Sequence, residues 1–100
     1  MDNKSNNQER EYLICCLTKF LPVLRAAIGI SQGELAEYVG ISRQTFCAIE
    51  QGKRQMSWST FCALYLFFSS NSETYKLLKV NNDLDLRVHT VMQFDSSERR

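Results

Sequence analysis

Two short helix patterns lie next to each other in residues 31–50, and only a tight turn separates them. Ser31 and Glu34 have the spacing of a capping box, in which each side chain accepts a hydrogen bond from the backbone amide of the other residue. Gly40 ends the first pattern, and Ser42 is placed to cap the second helix. Two helices joined in this way cross at roughly 90–120°, so the rest of the chain must pack around that crossing.

The residue types within this pair are those that such a crossing requires. Ala36 is small at the point where the second helix comes closest, and Gly40 tolerates the positive φ of the turn. Ile41, Phe46 and Ile49 provide apolar anchors that face the first helix. Three separate requirements are therefore met at one consistent spacing.

Further helix patterns flank this pair on both sides. From Tyr12 onward, apolar residues recur at steps of three and four along one helix face: Leu13, Leu17, Phe20, Leu21, Leu24 and Ile28. Pro22 interrupts this stripe, so we expect either a kink or a helix that restarts around Phe20. Ser57 or Ser59 can cap a fourth helix, and residues 73–79 form a short fifth candidate. We therefore predict an all-α fold of four to five short helices.

The two ends of the chain are less regular. Residues 1–10 are polar and without periodicity, which indicates a flexible N-terminal arm. In residues 84–94 apolar side chains alternate as in a strand; several also fit a helical stripe, but the β-branched content favours the strand. The predicted organisation is an arm over 1–10, a domain over 11–80 and a C-terminal extension over 81–100 that forms a strand or an interface.

Length and charge exclude several classes of protein. One hundred residues fit a single domain, and 12 basic against 11 acidic residues give a net charge of +1, so a large basic field is absent. The longest apolar run, residues 61–68, is far shorter than the ~20 residues of a membrane-spanning helix. The first eleven residues contain no apolar stretch typical of a secretory signal. We expect a cytoplasmic protein without membrane attachment.

Few residues offer catalytic or metal-binding chemistry. Cys15, Cys16, Cys47 and Cys62 form no C-x-x-C pair, and reduced thiols are expected. His89 is the only histidine and has no nucleophile motif beside it. The four glycines do not form a phosphate-binding loop. We therefore expect no enzymatic activity, no metal and no cofactor.

The segment around the helix pair resembles the helix-turn-helix transcriptional regulators of the phage repressor and Cro class, the lambda repressor-like or XRE family. The resemblance extends from about Leu21 to Phe68 and is carried by L-R-A-A-I-G-I-S-Q-G-E-L-A, V-G-I-S-R-Q-T-F and I-E-Q-G-K-R. It implies a five-helix, lambda repressor-like DNA-binding domain that inserts helix 42–50 into the major groove of double-stranded DNA. It also implies that Arg25 and Glu50 form a buried bridge.

The residues of helix 42–50 suit this role on chemical grounds. Arginine can donate two hydrogen bonds to guanine, and glutamine can both donate to and accept from adenine. The side chains that point outward when Phe46 and Ile49 are buried are Arg43, Gln44, Cys47 and Ala48. We expect these four residues to contact bases.

Phosphate contacts are expected around both ends of that helix. The amide groups at the starts of both short helices can bind phosphates, assisted by the helix dipole. Lys53 and Arg54 follow directly after the second helix, where they would lie beside the DNA backbone. The expected phosphate-binding residues are Gln32, Ser42, Thr45, Lys53 and Arg54.

Charge argues for two copies on DNA. Residues 31–56 contain three basic and three acidic residues, and phosphate neutralisation supplies most non-specific affinity. Two copies on neighbouring half-sites would compensate for the small positive charge of one copy. Leu66 and Phe67 exceed what the core stripe needs, which indicates either a dimer surface or burial under residues 84–94. We predict a homodimeric repressor.

A second hypothesis uses the same fold for protein interaction. Residues 80–100 are too patterned for a simple tail, so the chain could be a protein-interaction module or an antitoxin whose C-terminal segment contacts a protein partner. Co-purification of a partner that is lost on truncation after Val80 would favour this alternative.

Overall fold

A computed structural model describes residues 3–93, which form six helices and no strand. The helices are α1 Asn3–Ile28, α2 Gln32–Val39, α3 Arg43–Glu50, α4 Trp58–Ser69, α5 Ser72–Val80 and α6 Asn82–Met92. The all-α prediction is confirmed. The helix count exceeds the predicted four to five because the C-terminal segment is helical as well.

α1 is the longest helix and forms one wall of the core. Four leucines of its predicted stripe are completely buried: Leu13, Leu17, Leu21 and Leu24. The helix continues through Pro22, so the expected restart around Phe20 is wrong. Pro22 lies on the exposed side of α1, where water can hydrate the carbonyl that loses its hydrogen-bond donor.

The flexible arm expected over residues 1–10 is corrected from residue 3 onward, because α1 begins at Asn3. Glu9 pairs with Arg87 of α6, and the Arg10 guanidinium lies 5.0 Å from the centre of the Trp58 ring. Because these contacts are made by charged side chains, the first part of α1 shows no apolar periodicity. The apolar stripe that can be recognised in the sequence therefore begins only at Leu13. Residues 1 and 2 lie outside the described residues.

The starts of α2, α3 and α4 follow the predicted capping residues. The capping box at α2 is complete: the Ser31 hydroxyl accepts from the Glu34 amide at 3.1 Å, and the Glu34 carboxylate accepts from the Ser31 amide at 3.0 Å. Ser42 and Ser57 each accept a hydrogen bond from the third residue of their helix. Gly40 adopts φ of 80° between α2 and α3, as the tight turn requires.

One core cluster receives side chains from all six helices. Its largest completely buried members are Phe46, Phe61, Phe68, Leu13, Leu17, Leu21, Leu24, Leu35, Ile49, Leu64, Leu78 and Leu84. The short helices α2 and α3 are therefore fixed on a framework that α1 and α4 build. Within residues 3–93, a single helix long and apolar enough to cross a membrane is absent; α1 and α2 reach that length and composition only together, across a bend of 109°.

The strand expected within residues 84–94 is wrong, because residues 82–92 form α6. The Asn81 side chain caps the helix by accepting from the Leu84 amide, and two aspartates in the first turn favour the positive end of the helix dipole. Leu84 and Val88 lie one turn apart and enter the core, whereas Leu86 is 69% exposed. The burial pattern is thus helical, and residues 82–92 belong to the same packed unit as the rest. Residues 94–100 lie outside the described residues.

Candidate nucleic-acid interface

One face of α3 packs into the core, and the opposite face points away from it. Phe46 and Ile49 are buried, as predicted, while Arg43 and Gln44 in the first turn are exposed. The other predicted site residues of this helix are half-buried: Thr45, Cys47 and Ala48. The first turn of α3 therefore carries the side chains with the greatest freedom to reach a ligand.

A buried ion pair fixes the far end of α3 to α1. The Nε and Nη2 atoms of Arg25 donate to the two carboxylate oxygens of Glu50 at 2.8 and 3.0 Å. The Glu50 side chain is only 7% exposed, and Arg25 also donates to the Ile30 carbonyl at 3.3 Å. Hydrogen bonding to Glu50 raises the pKa of Arg25 above its ordinary value. The bridge that the family resemblance implies is therefore present.

Gln32 extends this ion pair into a chain of four side chains. Its Nε2 atom donates to Glu50 Oε1 at 2.8 Å, and its Oε1 atom accepts from Cys47 Sγ at 2.9 Å. The side-chain amide of Gln32, a residue expected at a phosphate, is thus occupied within the protein. The Cys47 thiol, expected at a base, contacts Gln32. Sequence reasoning missed this chain, although Cys47 and Glu50 lie three residues apart on one helix face.

The starts of α2 and α3 retain free backbone donors. Ser42 accepts from the Thr45 amide at 3.0 Å and donates to the Thr45 hydroxyl at 2.9 Å, so the two hydroxyls already form the cap. The first two amides of each helix have no carbonyl four residues earlier within that helix. These amides belong to Gln32 and Gly33 in α2, and to Arg43 and Gln44 in α3.

Arg43 lies against the start of α2. A Cβ atom placed on Gly33 would lie 3.6 Å from Cδ of Arg43, so the arginine stem packs beside the first turn of α2. Arg25, Ser31, Gln32, Gly33 and Arg43 together line an open groove of about 550 Å³. Two predicted residues, Gln32 and Arg43, are thereby brought to one place beside unpaired amides.

Lys53 and Arg54 lie exposed in the loop after α3, outside the groove that Gln32 and Arg43 line. The Lys53 amide donates to the Ala48 carbonyl at 2.9 Å, which holds the loop close to the helix end. Arg54 and Lys19 of α1 line one groove of about 460 Å³. Sequence reasoning missed Lys19, although its neighbours in that groove recur along α1 at steps of three and four: Glu11, Cys15, Thr18 and Pro22.

The charged side chains on this side of the domain differ in whether they already have a partner within the protein. Glu50 is paired with Arg25, and Glu34 is held by the cap at Ser31, which lowers the pKa of Glu34. Arg43, Lys53 and Arg54 are exposed. α3 and the loop that follows it therefore carry three exposed cations, and their one carboxylate, that of Glu50, is already paired.

The part of the chain that builds this surface is similar to a known family. Residues 17–65 match the family model described as a helix-turn-helix domain. The chain contains a helix-turn-helix domain. The matched residues run from the middle of α1 into α4 and include every predicted site residue. Such a domain indicates DNA as the ligand of this surface. No curated protein and no solved structure matches the chain at a significant level.

The cysteines remain free thiols in the described structure. Within residues 3–93, no cluster of three or more His, Cys, Asp or Glu side chains could hold a metal ion. Cys62 is partly enclosed between α4 and its neighbours, and this burial raises the pKa of its thiol.

Proposed function

We propose that this protein is a sequence-specific transcriptional regulator of the phage repressor, or XRE, class that inserts α3 into the major groove of double-stranded DNA. One observation carries the proposal: Arg43 and Gln44 are exposed in the first turn of a helix that is otherwise fixed. The buried face of α3 holds it from below, and the Arg25–Glu50 pair holds its far end. A rigid helix with free arginine and glutamine side chains suits hydrogen bonding to base edges.

The geometry refines the expected division of contacts. Arg43 and Gln44 contact bases, and the half-buried Ala48 offers a small apolar surface beside them. Cys47 is assigned mainly to positioning, because its thiol is bonded to Gln32. Gln32 reaches a phosphate through its backbone amide rather than its side chain. The other phosphate contacts come from Ser42, Thr45, Lys53 and Arg54, with Lys19 as an addition.

We assign repression because it is the simplest effect that a DNA-bound domain can have on transcription. A domain bound across a promoter blocks access to it by occupancy and needs no further contact. In this proposal the protein acts in the cytoplasm. It acts as a homodimer, because one copy has few cations and therefore a low affinity for DNA phosphates. The two copies bind half-sites whose centres lie about 34–36 Å apart, one turn of DNA. This proposal assigns no enzymatic activity, metal or cofactor to the chain.

A selection from random DNA duplexes tests the proposal. The wild-type chain should enrich a sequence with two half-sites, and the Arg43→Ala/Gln44→Ala variant should lose that preference while remaining folded. Each lost bidentate contact removes about 1–3 kcal/mol of discrimination between bases. If the variant selects the same sequence as the wild type, α3 does not determine specificity.

Two single variants separate specificity from general affinity. Lys53→Ala should weaken binding to all sequences about equally and reduce the salt dependence of binding by roughly one phosphate contact. Lys76→Ala removes an exposed lysine of α5, whose side chain is 72% exposed, and should change neither property. Equal effects of the two lysine variants would indicate non-specific attraction alone.

The protein-interaction alternative retains one supporting observation. Val80 and Leu86 are 81% and 69% exposed near the C-terminal end, as a surface for a protein partner would be. Truncation after Val80 is no longer a clean test, because it would remove Leu84 and Val88 from the core. Val80→Glu and Leu86→Glu leave the core intact. Failure of the wild-type chain to enrich DNA at low salt, with loss of a defined partner in these variants, would favour the alternative.

A further inference from the structure

Gly33, the second residue of α2, is a glycine that its own backbone conformation does not require. The glycines with positive φ are the other three of the chain: Gly29, Gly40 and Gly52. A glycine within a helix weakens the helix relative to alanine, because more backbone freedom is lost on folding. What distinguishes this position is therefore the neighbour that lies where a side chain would begin.

That neighbour is the stem of Arg43 from α3. A Cβ atom built on Gly33 would lie 3.6 Å from Cδ of Arg43, and among the described residues no other atom outside its own helix and its chain neighbours comes within 4 Å. A distance of 3.6 Å is ordinary van der Waals contact. A methyl group would thus fit beside the arginine stem, whereas a longer side chain would compete with the stem for the same space.

The first turn of α2 is a fixed support for this stem. Gln32, the residue before Gly33, donates to Glu50 at 2.8 Å and accepts from Cys47 at 2.9 Å, so two residues of α3 hold it. The capping box between Ser31 and Glu34 closes the same turn on its other side. The position of the Gly33 backbone relative to α3 is therefore set by bonds that do not involve Arg43.

The support acts on the stem of Arg43 and leaves its guanidinium accessible. Arg43 is exposed, and it lines the open groove together with Gln32 and Gly33. A long side chain loses rotamer freedom when it binds a ligand, and less freedom is lost when its stem is already held in place. A supported arginine also meets a base edge in one direction, which two parallel hydrogen bonds to guanine require.

We propose that Gly33 is a specificity-determining positioning residue. Because it has no side chain, the Arg43 stem rests on α2, and this fixes the direction in which the guanidinium meets a base. Gly33 itself contacts no base in this arrangement. The inference rests on the proposed function and deepens it, since it assigns to α2 a part in the sequence preference that α3 expresses.

Nuclear magnetic resonance of the free full-length chain tests the contact. The wild-type chain should show a nuclear Overhauser effect between the α protons of Gly33 and the δ protons of Arg43. Gly33→Leu should remain folded, because leucine is a better helix former than glycine, but the Arg43 δ protons should move away from the backbone of residue 33. Absence of the contact in the wild-type chain overturns the inference.

DNA selection tests the consequence for specificity. Arg43→Ala first identifies the base pair that Arg43 reads, and Gly33→Leu should lower the preference at that base pair by roughly tenfold while leaving the other positions unaltered. Gly33→Ala should have a smaller effect, because its methyl group only reaches contact distance. Glu37→Leu is the matched control: it places the same side chain one turn further along α2, outside the groove beside Arg43, and should leave every base preference unchanged.

Two outcomes of the selection overturn the role of Gly33 alone. If Gly33→Leu keeps the preference at the Arg43 base pair, the arginine finds its base without support from α2. If Gly33→Leu weakens binding to all sequences equally, Gly33 acts through phosphate contacts or folding rather than through Arg43. A wild-type chain that enriches no DNA contradicts the proposed function instead, and the role in specificity is then lost with it.

Discussion

The two short helices of the helix-turn-helix pair and the C-terminal helix α6 are attached to α1 by different kinds of contact. α3 is held by buried Phe46 and Ile49 together with the Arg25–Glu50 pair, in which Glu50 is 7% exposed. α6 also places two apolar residues in the core, but its charged contacts lie at the surface. Arg87, whose side chain is 43% exposed, bonds to Asp83 and Glu9, and Tyr12 donates to Asp83.

The buried pair holds α3 in one position, whereas the exposed pairs of α6 depend on the solution conditions. A buried pair that loses one partner leaves an unpaired charge in the interior, so the position of α3 is strongly constrained. Exposed pairs contribute little each and are screened by salt. α3 should therefore keep its geometry over a wide range of conditions, while the polar contacts of α6 respond to salt and pH.

The largest expected effect comes from breaking the buried pair. Arg25→Met leaves the Glu50 carboxylate buried beside Gln32 without its cation, and we expect a loss of about 3–5 kcal/mol in the free energy of unfolding. Urea denaturation followed by circular dichroism measures this loss. Arg54→Met removes an exposed arginine and should change stability by less than about 0.5 kcal/mol.

A double variant sharpens the interpretation of that result. Arg25→Met/Glu50→Leu removes both charges, and it should recover most of the stability because apolar residues of similar volume often replace a buried pair without cost. If the double variant is as unstable as Arg25→Met, the loss comes from packing around Arg25 rather than from an unpaired Glu50.

The next largest effect tests whether α6 belongs to the core. Leu84 is 1% exposed, and Leu84→Ala should lower the free energy of unfolding by about 2–5 kcal/mol through lost burial and a residual cavity. Leu86→Ala, at an exposed position of the same helix, is the control and should cost less than about 0.5 kcal/mol. Equal effects of the two variants on urea unfolding would mean that α6 is an unattached extension.

The sequence predicted the helix-turn-helix pair well because local chemistry determines its boundaries. Serine caps at Ser31 and Ser42 and the glycine turn at Gly40 are recognised from spacing alone, and they coincide with the observed helix starts and turn. The C-terminal segment carries weaker local signals. Its β-branched residues favoured a strand, but α6 packs on α1 and α5 and buries Leu84 and Val88 in the core, which decides the outcome. Tertiary packing of this kind is not visible in a local pattern.

The sequence predicted which residues of the candidate site are exposed in the first turn of α3, but it did not predict the bonds within the site. Arg43 and Gln44 are exposed as expected, since the positions of Phe46 and Ile49 define which face is buried. The side chains of Gln32 and Cys47 contact each other instead of facing outward. Their contact depends on the crossing of α2 and α3, and a helical pattern gives the face of a residue without giving its partner across a crossing.

A smaller effect is expected from the charged contacts of α6. Arg87→Met should cost about 1 kcal/mol or less, because both carboxylate partners of Arg87 are partly exposed. The loss should shrink further at ~1 M salt, where the Debye length is about 3 Å. The loss from Arg25→Met should change much less between the same salt concentrations. Urea unfolding of both variants at low and high salt makes the comparison, and an equal salt response would contradict the distinction between the two attachments.

The smallest effect concerns Tyr12 and Asp83, and it appears only outside neutral pH. The hydrogen bond from the Tyr12 hydroxyl to Asp83, 2.8 Å long, is the largest of the contacts that raise the pKa of Tyr12 to about 12, and the neighbouring Cys16 adds to it. The same bond, with that from Arg87, lowers the pKa of Asp83. The raised tyrosine pKa contributes stability that is fully present below pH ~10 and is lost as the pH rises through about 12. The lowered aspartate pKa contributes above pH ~4 and is lost as the pH falls further.

Nuclear magnetic resonance of tyrosine ring carbons can follow Tyr12 directly. Asp83→Asn should return the pKa of Tyr12 towards ~10, since the amide offers no negative charge to oppose the tyrosinate. Asp85→Asn is the matched control: Asp85 accepts from Tyr65, so this change should act on Tyr65 and leave Tyr12 unaltered. A Tyr12 titration that ignores Asp83 but follows Asp85 would mean that α6 sits on α1 in another register, and the exposed contacts would then say nothing about how this helix is attached.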